Sequence, residues 1–344
     1  MPVLTRRTLS LLVASDPPCN KRNRESLTSM AAGMNVPDDT PSKPIKMVKT
    51  GDPSPPRTPQ AARKTSTSAP STPRRRNVAI VPGSVDPPKD WEAIYSLVEE
   101  LRSDRSAPVD TNGSEALPQR DLGDEVFRFQ VLIALMLSSQ TKDGVVGDAM
   151  RELQKHGLTV DNISAMSADT LNQIIHKVGF HNNKTKYIKQ VVEVLKEEYD
   201  GDIPPSAEKM MRLPGVGPKM AFIVENVAWG RSSGIGVDTH MHRMFNELKW
   251  VKANNPEQTR IQLEGWLPRD KWETINVLWV GFGQEVQQFK PKMLGKALEC
   301  SRPHDALRLI QRLGLDYRKE ATKAGMEEKL QQVFVSAKKI KIEE

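Results

Sequence analysis

The sequence predicts an all-α fold preceded by a disordered basic tail. Three observations carry that reading. From Val126 to about Glu198 apolar residues recur at helical spacing, and alternating strand patterns are absent. One segment, VFRFQVLIALMLSSQ, is apolar nearly all round, the pattern of a buried central helix. Turn signals cut the rest into short helices: HG at 156–157, VGFHNN at 178–183 and DGDIPPS at 200–206.

In chain order, residues 1–89 form the tail. Residues 1–90 hold 15 of the 25 prolines, and runs such as DPSPPRTPQ and TSTSAPSTPRRR bury too little apolar surface to offset chain entropy. The opening MPVLTRRTLSLLVAS carries arginines and hydroxyls with no acid before Asp16, which fits a mitochondrial targeting segment as well as it fits an ordinary tail. KRNR (21–24) and PRRR (73–76) fit a nuclear address or a touch on DNA phosphate. The expected destinations are the nucleus and, as a second site, the mitochondrion.

Order is expected from Asp90. DWEAIYSLVEELR reads as a helix with Asp90 as N-cap and Trp91, Ile94, Leu97, Val98 and Leu101 on one face. A polar loop, SDRSAPVDTNGSEALPQR, follows. After the central helix come KDGVVGDAMRELQKHG, SADTLNQIIHKVG and NKTKYIKQVVEVLKEEY, each helical. SAEKMMRLPGVGPKMAFIVENVAWG reads as helix, tight turn, helix, with more helices at 238–248, 256–266 and 269–282. Residues 303–344 are helical but sparsely apolar, the pattern of a loosely attached appendage.

Composition excludes several classes. Two cysteines, Cys19 and Cys300, in 344 residues exclude a disulfide scaffold and suit a reducing compartment. No apolar run reaches the roughly 18 residues a membrane helix needs. The net charge of +7 belongs to the tail: residues 1–90 carry a net +8 and the remaining 254 a net −1. Nucleic-acid binding by the ordered part must therefore rest on local arrangement.

LPGVGPKMA (213–221) supplies such an arrangement. A glycine closing one helix can go left-handed, Pro218 suits the first turn of the next, and Val216 can anchor the turn in the core. Backbone N–H groups around Gly215, Gly217 and Lys219 then lack intrahelical partners beside a positive helix end, which suits a phosphate. A plain connection between two helices is the competing reading. Nineteen residues on, VDTHMHR presents Asp238. An ammonium at the start of a helix is disfavoured against the free amine, so Lys219 is read as a nucleophile. A carboxylate nearby can take its proton or steady a cationic sugar. Lys219 as a mere phosphate contact and Asp238 as the N-cap of the THMHRMFNEL helix remain open, and the cap does not exclude catalysis.

LPGVGPKMA, AWG and VDTHMHR, together with MLSSQTKD (136–143), VGFHNNKTKYI (178–188) and GFGQ (281–284), closely resemble the endonuclease III family of DNA glycosylases/lyases, over about residues 90–300. The resemblance implies a two-lobed helix-hairpin-helix glycosylase fold. Residues 90–302 would be the catalytic domain. A six-helix lobe would span about 121–231, with the hairpin at 206–230, and a second lobe would combine 90–120 with 232–302; 303–344 is a helical extension. It implies a bifunctional enzyme acting as a monomer on double-stranded DNA that carries an oxidised pyrimidine or an abasic site, away from any membrane. The family's catalytic lysine and aspartate fall on Lys219 and Asp238. The residue filling the hole left by a flipped base falls on Gln140, and a wedge falls on Phe180. Lys184, Gly215, Gly217, His240 and Arg243 are the further expected DNA contacts. Gln140 as a cap of the buried helix and Phe180 as a core residue are the competing readings. Hairpin carbonyls near Arg212 and Gly217 are the place where relatives hold a monovalent cation.

The sequence departs from the family at 281–300. Many members carry four cysteines there, spaced C-x6-C-x2-C-x5-C, around a [4Fe–4S] cluster. Here Gln287, Met293 and Lys296 stand near the first three places and only Cys300 remains, at shortened spacing. The expectation is no cofactor and no metal, with Cys300 a small buried hydrophobe and 303–344 as a packing substitute. Rival readings are an 8-oxoguanine-type glycosylase of the same superfamily and a non-catalytic helix-hairpin-helix DNA-binding module. Adenine glycosylases carry serine where Lys219 stands. A mere binder would need neither Lys219 nor Asp238.

Overall fold

Ten of the fifteen residues of the central helix, Asp124–Ser138, are buried, and the first of two helical lobes is built around it. The computed structural model describes residues 81 and 83–343, with side chains described to residue 335. The targeting-like opening, KRNR, PRRR and Cys19 lie outside the described residues, as do the side chains of IKIE (340–343), which match a hydrophobic-Lys-x-Glu pattern. The chain divides into two units, Met1–Thr72 and Pro73–Glu344. The first lies wholly outside the described residues. Among the described residues the regular structure is entirely helical.

The first lobe contains the central helix, α3 (Asp124–Ser138), and α4 (Asp143–Lys155), α5 (Val160–Ala165), α6 (Ala168–Ile174), α7 (His181–Glu198), α8 (Ala207–Met210) and α9 (Pro218–Trp229). Its apolar side chains form one core, in which α3 packs along α9. The short helix α5 arises because Thr159 caps it, its side chain accepting from the Asn162 N–H at 3.2 Å. Ser167 and Ser206 cap α6 and α8 in the same way.

The second lobe opens with α1 (Trp91–Leu101), whose Trp91, Tyr95, Leu97, Val98 and Leu101 are buried. Asp90 does precede it, but its carboxylate makes no cap; it pairs with Arg312 at 3.5 Å. The expected polar loop contains a turn of helix, α2 (Pro108–Asn112): Pro108 sits at its first position and Asp110 accepts from the Ala107 N–H at 2.8 Å. The lobe continues with α10 (Thr239–Glu247), α11 (Pro256–Glu264), α12 (Ile275–Gln288) and α13 (Lys290–Glu299). An aromatic cluster fills its centre: Phe245 stacks on Trp250 at 5.4 Å between ring centroids and meets the edge of Trp279 at 4.9 Å.

The C-terminal segment corrects one expectation. It is no loose appendage. α14 (Pro303–Arg312), α15 (Tyr317–Ala324) and α16 (Glu327–Glu343) follow α13, and Leu307, Leu309, Ile310, Leu313, Leu315 and Tyr317 are buried in the same core as Trp279. The apolar residues are few, but their spacing gathers them on one stripe of α14 and on the turn after it.

Candidate active site and nucleic-acid interface

The hairpin turn takes the shape its residues favour. Gly215 has φ +78°, the left-handed region, and a Cβ there would lie 2.8 Å from the Tyr187 ring. Val216 is buried beneath it and its N–H donates to the Leu213 carbonyl at 3.2 Å. Gly217 is the N-cap of α9, Pro218 the first helical residue, and open space lies on the side where a Gly217 Cβ would project. The N–H groups of Lys219 and Met220 occupy the first turn of α9, where a helix offers them no partner. They suit an anion held at a positive helix end.

The chain then leaves α9 and returns past its own start. A Cβ on Gly236 would lie 2.4 Å from the Ile223 side chain and 3.0 Å from the Lys219 carbonyl oxygen, so any side chain here would have to push Ile223 aside. The returning loop is pinned at several points. Buried Glu225 accepts from the N–H groups of Ala207 at 3.2 Å and Ser233 at 3.0 Å. Glu264 accepts from Ile235 N–H at 2.8 Å, and Asn276 donates to the Gly236 carbonyl at 2.6 Å. Two residues beyond Gly236, Asp238 caps α10, one carboxylate oxygen accepting from the Met241 N–H at 2.7 Å. Both expected chemical groups thus reach one cleft of about 1630 Å³ between the lobes, lined by Lys219, Asp238, His240 and Gln140 among others. The Lys219 side chain has no ion-pair or hydrogen-bond partner among the described residues.

Gln140 and Phe180 stand on touching loops. Both have left-handed backbones, φ 50° and 57°, which cost a non-glycine residue about 1–3 kcal/mol each. A Cβ on the intervening Gly179 would lie 2.4 Å from the Gln140 carbonyl oxygen, and the Gly179 N–H donates to Thr141 Oγ1 at 3.1 Å. Phe180 is 61% exposed, so it is no core residue. Gln140 is exposed as well and does not cap α3.

Lys184 provides that cap, and here the sequence expectation is corrected. Rather than facing DNA, Lys184 is buried, and its Nζ donates to the carbonyls of Leu137 at 2.7 Å and Ser139 at 2.6 Å and to Thr141 Oγ1 at 3.2 Å. Burial pushes its ammonium down to about 8. One turn into α7, a lysine stem reaches the orphan carbonyls ending α3, and burial of the charge is compensated by three acceptors. Arg243 pairs with its helix neighbour Glu247 at 3.0 Å, and His240 is exposed at the cleft.

Some site residues were missed in the sequence. Glu225, Glu264 and Asn276 fix the loop before Asp238, yet each reads as an ordinary polar position on a helix. Gln284 belongs to GFGQ. It lies on α12 and its side chain donates to Asp143 at 2.6 Å and accepts from the Val109 N–H at 3.0 Å, so it ties α12 to both α4 and α2.

The four places near the C-terminal end do not compose a cluster site. Met293 is fully buried in the apolar core, Lys296 is ion-paired with Glu285 at 2.8 Å, and Gln287 lines the cleft. Cys300 is half-buried, its thiol pushed up by burial and its Sγ 3.4 Å from the Ala297 carbonyl. One thiol beside an amide, a thioether and an ammonium cannot supply the thiolates such a cluster needs.

A two-lobed helical fold, a glycine-rich hairpin with phosphate-ready amides, and a lysine and an aspartate at one interlobe cleft define a helix-hairpin-helix DNA-repair protein. The model of the HhH-GPD superfamily base excision DNA repair proteins matches residues 133–269. The chain is 52% identical over 207 residues to the endonuclease III-like protein 1 of Gallus gallus, covering 60% of this chain and 74% of the relative. It is 45% identical over 203 residues to the endonuclease III homolog of Schizosaccharomyces pombe, covering 58% and 57%. A non-covalent endonuclease III–DNA complex shares the fold, with a TM-score of 0.51 at 24% identity over 64% of this chain and 99% of that one. The chain belongs to the endonuclease III family of DNA glycosylases and AP lyases and is a base-excision repair glycosylase.

Proposed function

We propose that this protein is a bifunctional N-glycosylase/AP lyase for oxidised pyrimidines in duplex DNA, working as a monomer without a metal or cofactor. The observation that carries the reading is the passage of Gly236 against the Lys219 carbonyl, which brings Asp238 and an unpaired lysine to one cleft. The hairpin amides and the first turn of α9 hold a phosphate near the lesion. Gln140 and Phe180 enter the duplex, one in the place of the flipped base and one against a stacked step. Asp238, as the carboxylate, steadies the positive charge that builds on the sugar as the bond to the base breaks. Lys219 Nζ, as the free amine, attacks C1′, and the departing base takes a proton from water. Asp238 accepts a proton from the attacking amine and returns it to O4′ as the sugar ring opens, giving a Schiff base between Nζ and C1′. Loss of a C2′ proton and expulsion of the 3′ phosphate then cut the strand on that side. We further propose that the protein works in the nucleus, with the mitochondrion as a second site.

The test is a duplex bearing one thymine glycol, incubated with borohydride and the wild type, Lys219→Gln or Asp238→Asn. Borohydride reduces a Schiff base to a permanent protein–DNA crosslink. The expected result is a crosslink with the wild type and none with Lys219→Gln. Binding without a crosslink by the wild type would reduce the hairpin to a phosphate clamp.

A further inference from the structure

Behind the cleft stands a set of buried charges that no step of the proposed reaction uses. Arg102, just past the end of α1, is fully buried, and its guanidinium donates to both oxygens of Asp110 at 2.8 and 2.7 Å and to Glu285 at 3.2 Å. Glu285, 1% exposed, also accepts from Lys296 Nζ at 2.9 and 2.8 Å and from Ser106 Oγ at 2.9 Å. Lys296 reaches Asp104 at 2.6 Å, and Lys292 pairs with the same carboxylate at 3.2 Å. Gly281 leaves the room: a Cβ there would lie 2.3 Å from the Arg102 guanidinium.

These partners come from three separate stretches. Arg102, Asp104, Ser106 and Asp110 belong to the segment after α1, Glu285 to α12, and Lys292 and Lys296 to α13. Charges at this depth persist only when paired, so the pairs hold the stretches in one arrangement. The arrangement reaches the cleft. Asp110 lies within α2, and Pro108, Val109 and Asn112 of α2 form part of the cleft wall. Gln284, beside Glu285 on α12, accepts from the Val109 N–H at 3.0 Å. Lys296, which occupies one of the places where the resemblance implies a cluster thiolate, is the ammonium that ties α13 into this network.

We propose that the Arg102–Asp110–Glu285–Lys296 charge cluster fastens this lobe in place of an iron–sulfur cluster and positions α2 as one wall of the DNA cleft. The second half rests on the reading of that cleft as the DNA site. The four residues are positioning residues, acting through α2 and Gln284. The proposal predicts that loss of one charge loosens α2 before it unfolds the lobe, because no residue of α2 belongs to the apolar core around Trp279.

The experiment uses the full chain in wild type, Lys296→Met, Lys296→Arg and Glu285→Gln forms. Iron is measured by elemental analysis, amide exchange is followed at residues 107–112, and binding is measured to a duplex with a non-cleavable tetrahydrofuran site. The expected result is no stoichiometric iron in the wild type. Lys296→Met should speed exchange at 107–112 and weaken duplex binding about tenfold, the equivalent of about 1.4 kcal/mol; Lys296→Arg should restore both. Should Glu285→Gln fail to fold, Lys296→Met, at the margin of the cluster, carries the test. Stoichiometric iron, or unchanged exchange at 107–112 in Lys296→Met, overturns the proposal. Exchange that responds in a wild type and variant that both fail to bind the duplex would sink the DNA reading of the cleft and leave the clamp standing.

Discussion

The side-chain amide of Gln284 donates to the Asp143 carboxylate at 2.6 Å, and this one bond joins α12 of the second lobe to the first turn of α4 in the first. The same side chain accepts from the Val109 N–H. Gln284→Leu keeps the volume and removes both bonds. It should cost about 1–3 kcal/mol, because the Val109 N–H and the Asp143 carboxylate lose their partner. A melting curve reads the stability, and duplex binding should weaken with it; an unchanged melt would mean that the lobes are held by packing alone.

Lys184 and Gln140 are coupled through the loop at 139–141. Lys184→Met should free the carbonyls of Leu137 and Ser139, release the left-handed turn at Gln140, and slow base release more than it weakens binding to undamaged duplex. Single-turnover kinetics against a binding titration separate the two effects. Loss of undamaged-duplex binding equal to the loss of base release would return Lys184 to the role of a phosphate contact.

The two hairpin glycines should answer differently to alanine. At Gly215 the left-handed backbone and the Tyr187 ring both oppose a Cβ, so Gly215→Ala should destabilise the protein by about 1–3 kcal/mol. At Gly217 the Cβ meets open space, so Gly217→Ala should fold normally and bind duplex DNA more weakly, by crowding an approaching phosphate. Paired melts and binding curves decide it. Equal losses of stability at both positions would contradict the assignment.

Truncation after residue 302 removes Leu307, Leu309, Ile310, Leu313, Leu315 and Tyr317 from the second core. Each buried side chain of this size contributes about 1.5–3 kcal/mol. The shortened chain should therefore aggregate or melt well below the full-length protein. A truncated protein with an unaltered melting temperature would restore the picture of an appendage.

Acid should weaken the charge cluster. Burial pushes the Asp104 carboxyl up, but hydrogen bonds from Lys296, Ser106 and Lys292 outweigh it and hold the group well below the ordinary carboxylate range. A depressed carboxylate stabilises the fold fully above its unfolded value of about 3.9 and loses that contribution as pH falls below it. The melting temperature should fall as pH drops from about 4 toward 2, and Asp104→Asn should flatten that part of the profile.

The sequence by itself determined the helices and nominated the groups proposed to react. Helical periodicity is local, so α3 and α7 were legible from spacing, and the turn at Gly215–Pro218 was legible because its residue types leave few backbone choices. Lys219 and Asp238 were legible because their neighbours form compact motifs. Only the tertiary structure decided what depends on residues far apart in the chain. Lys184 looks like one more cation in a basic stretch until the end of α3 folds beneath it. Gln284 and Asp143 are 141 positions apart, and no periodicity links them. The C-terminal helices look sparse because a stripe of apolar residues shows its worth only against the core that receives it. Whether a charged side chain meets DNA or a buried carbonyl is a matter of desolvation, and burial is a property of the packed chain rather than of any segment in it.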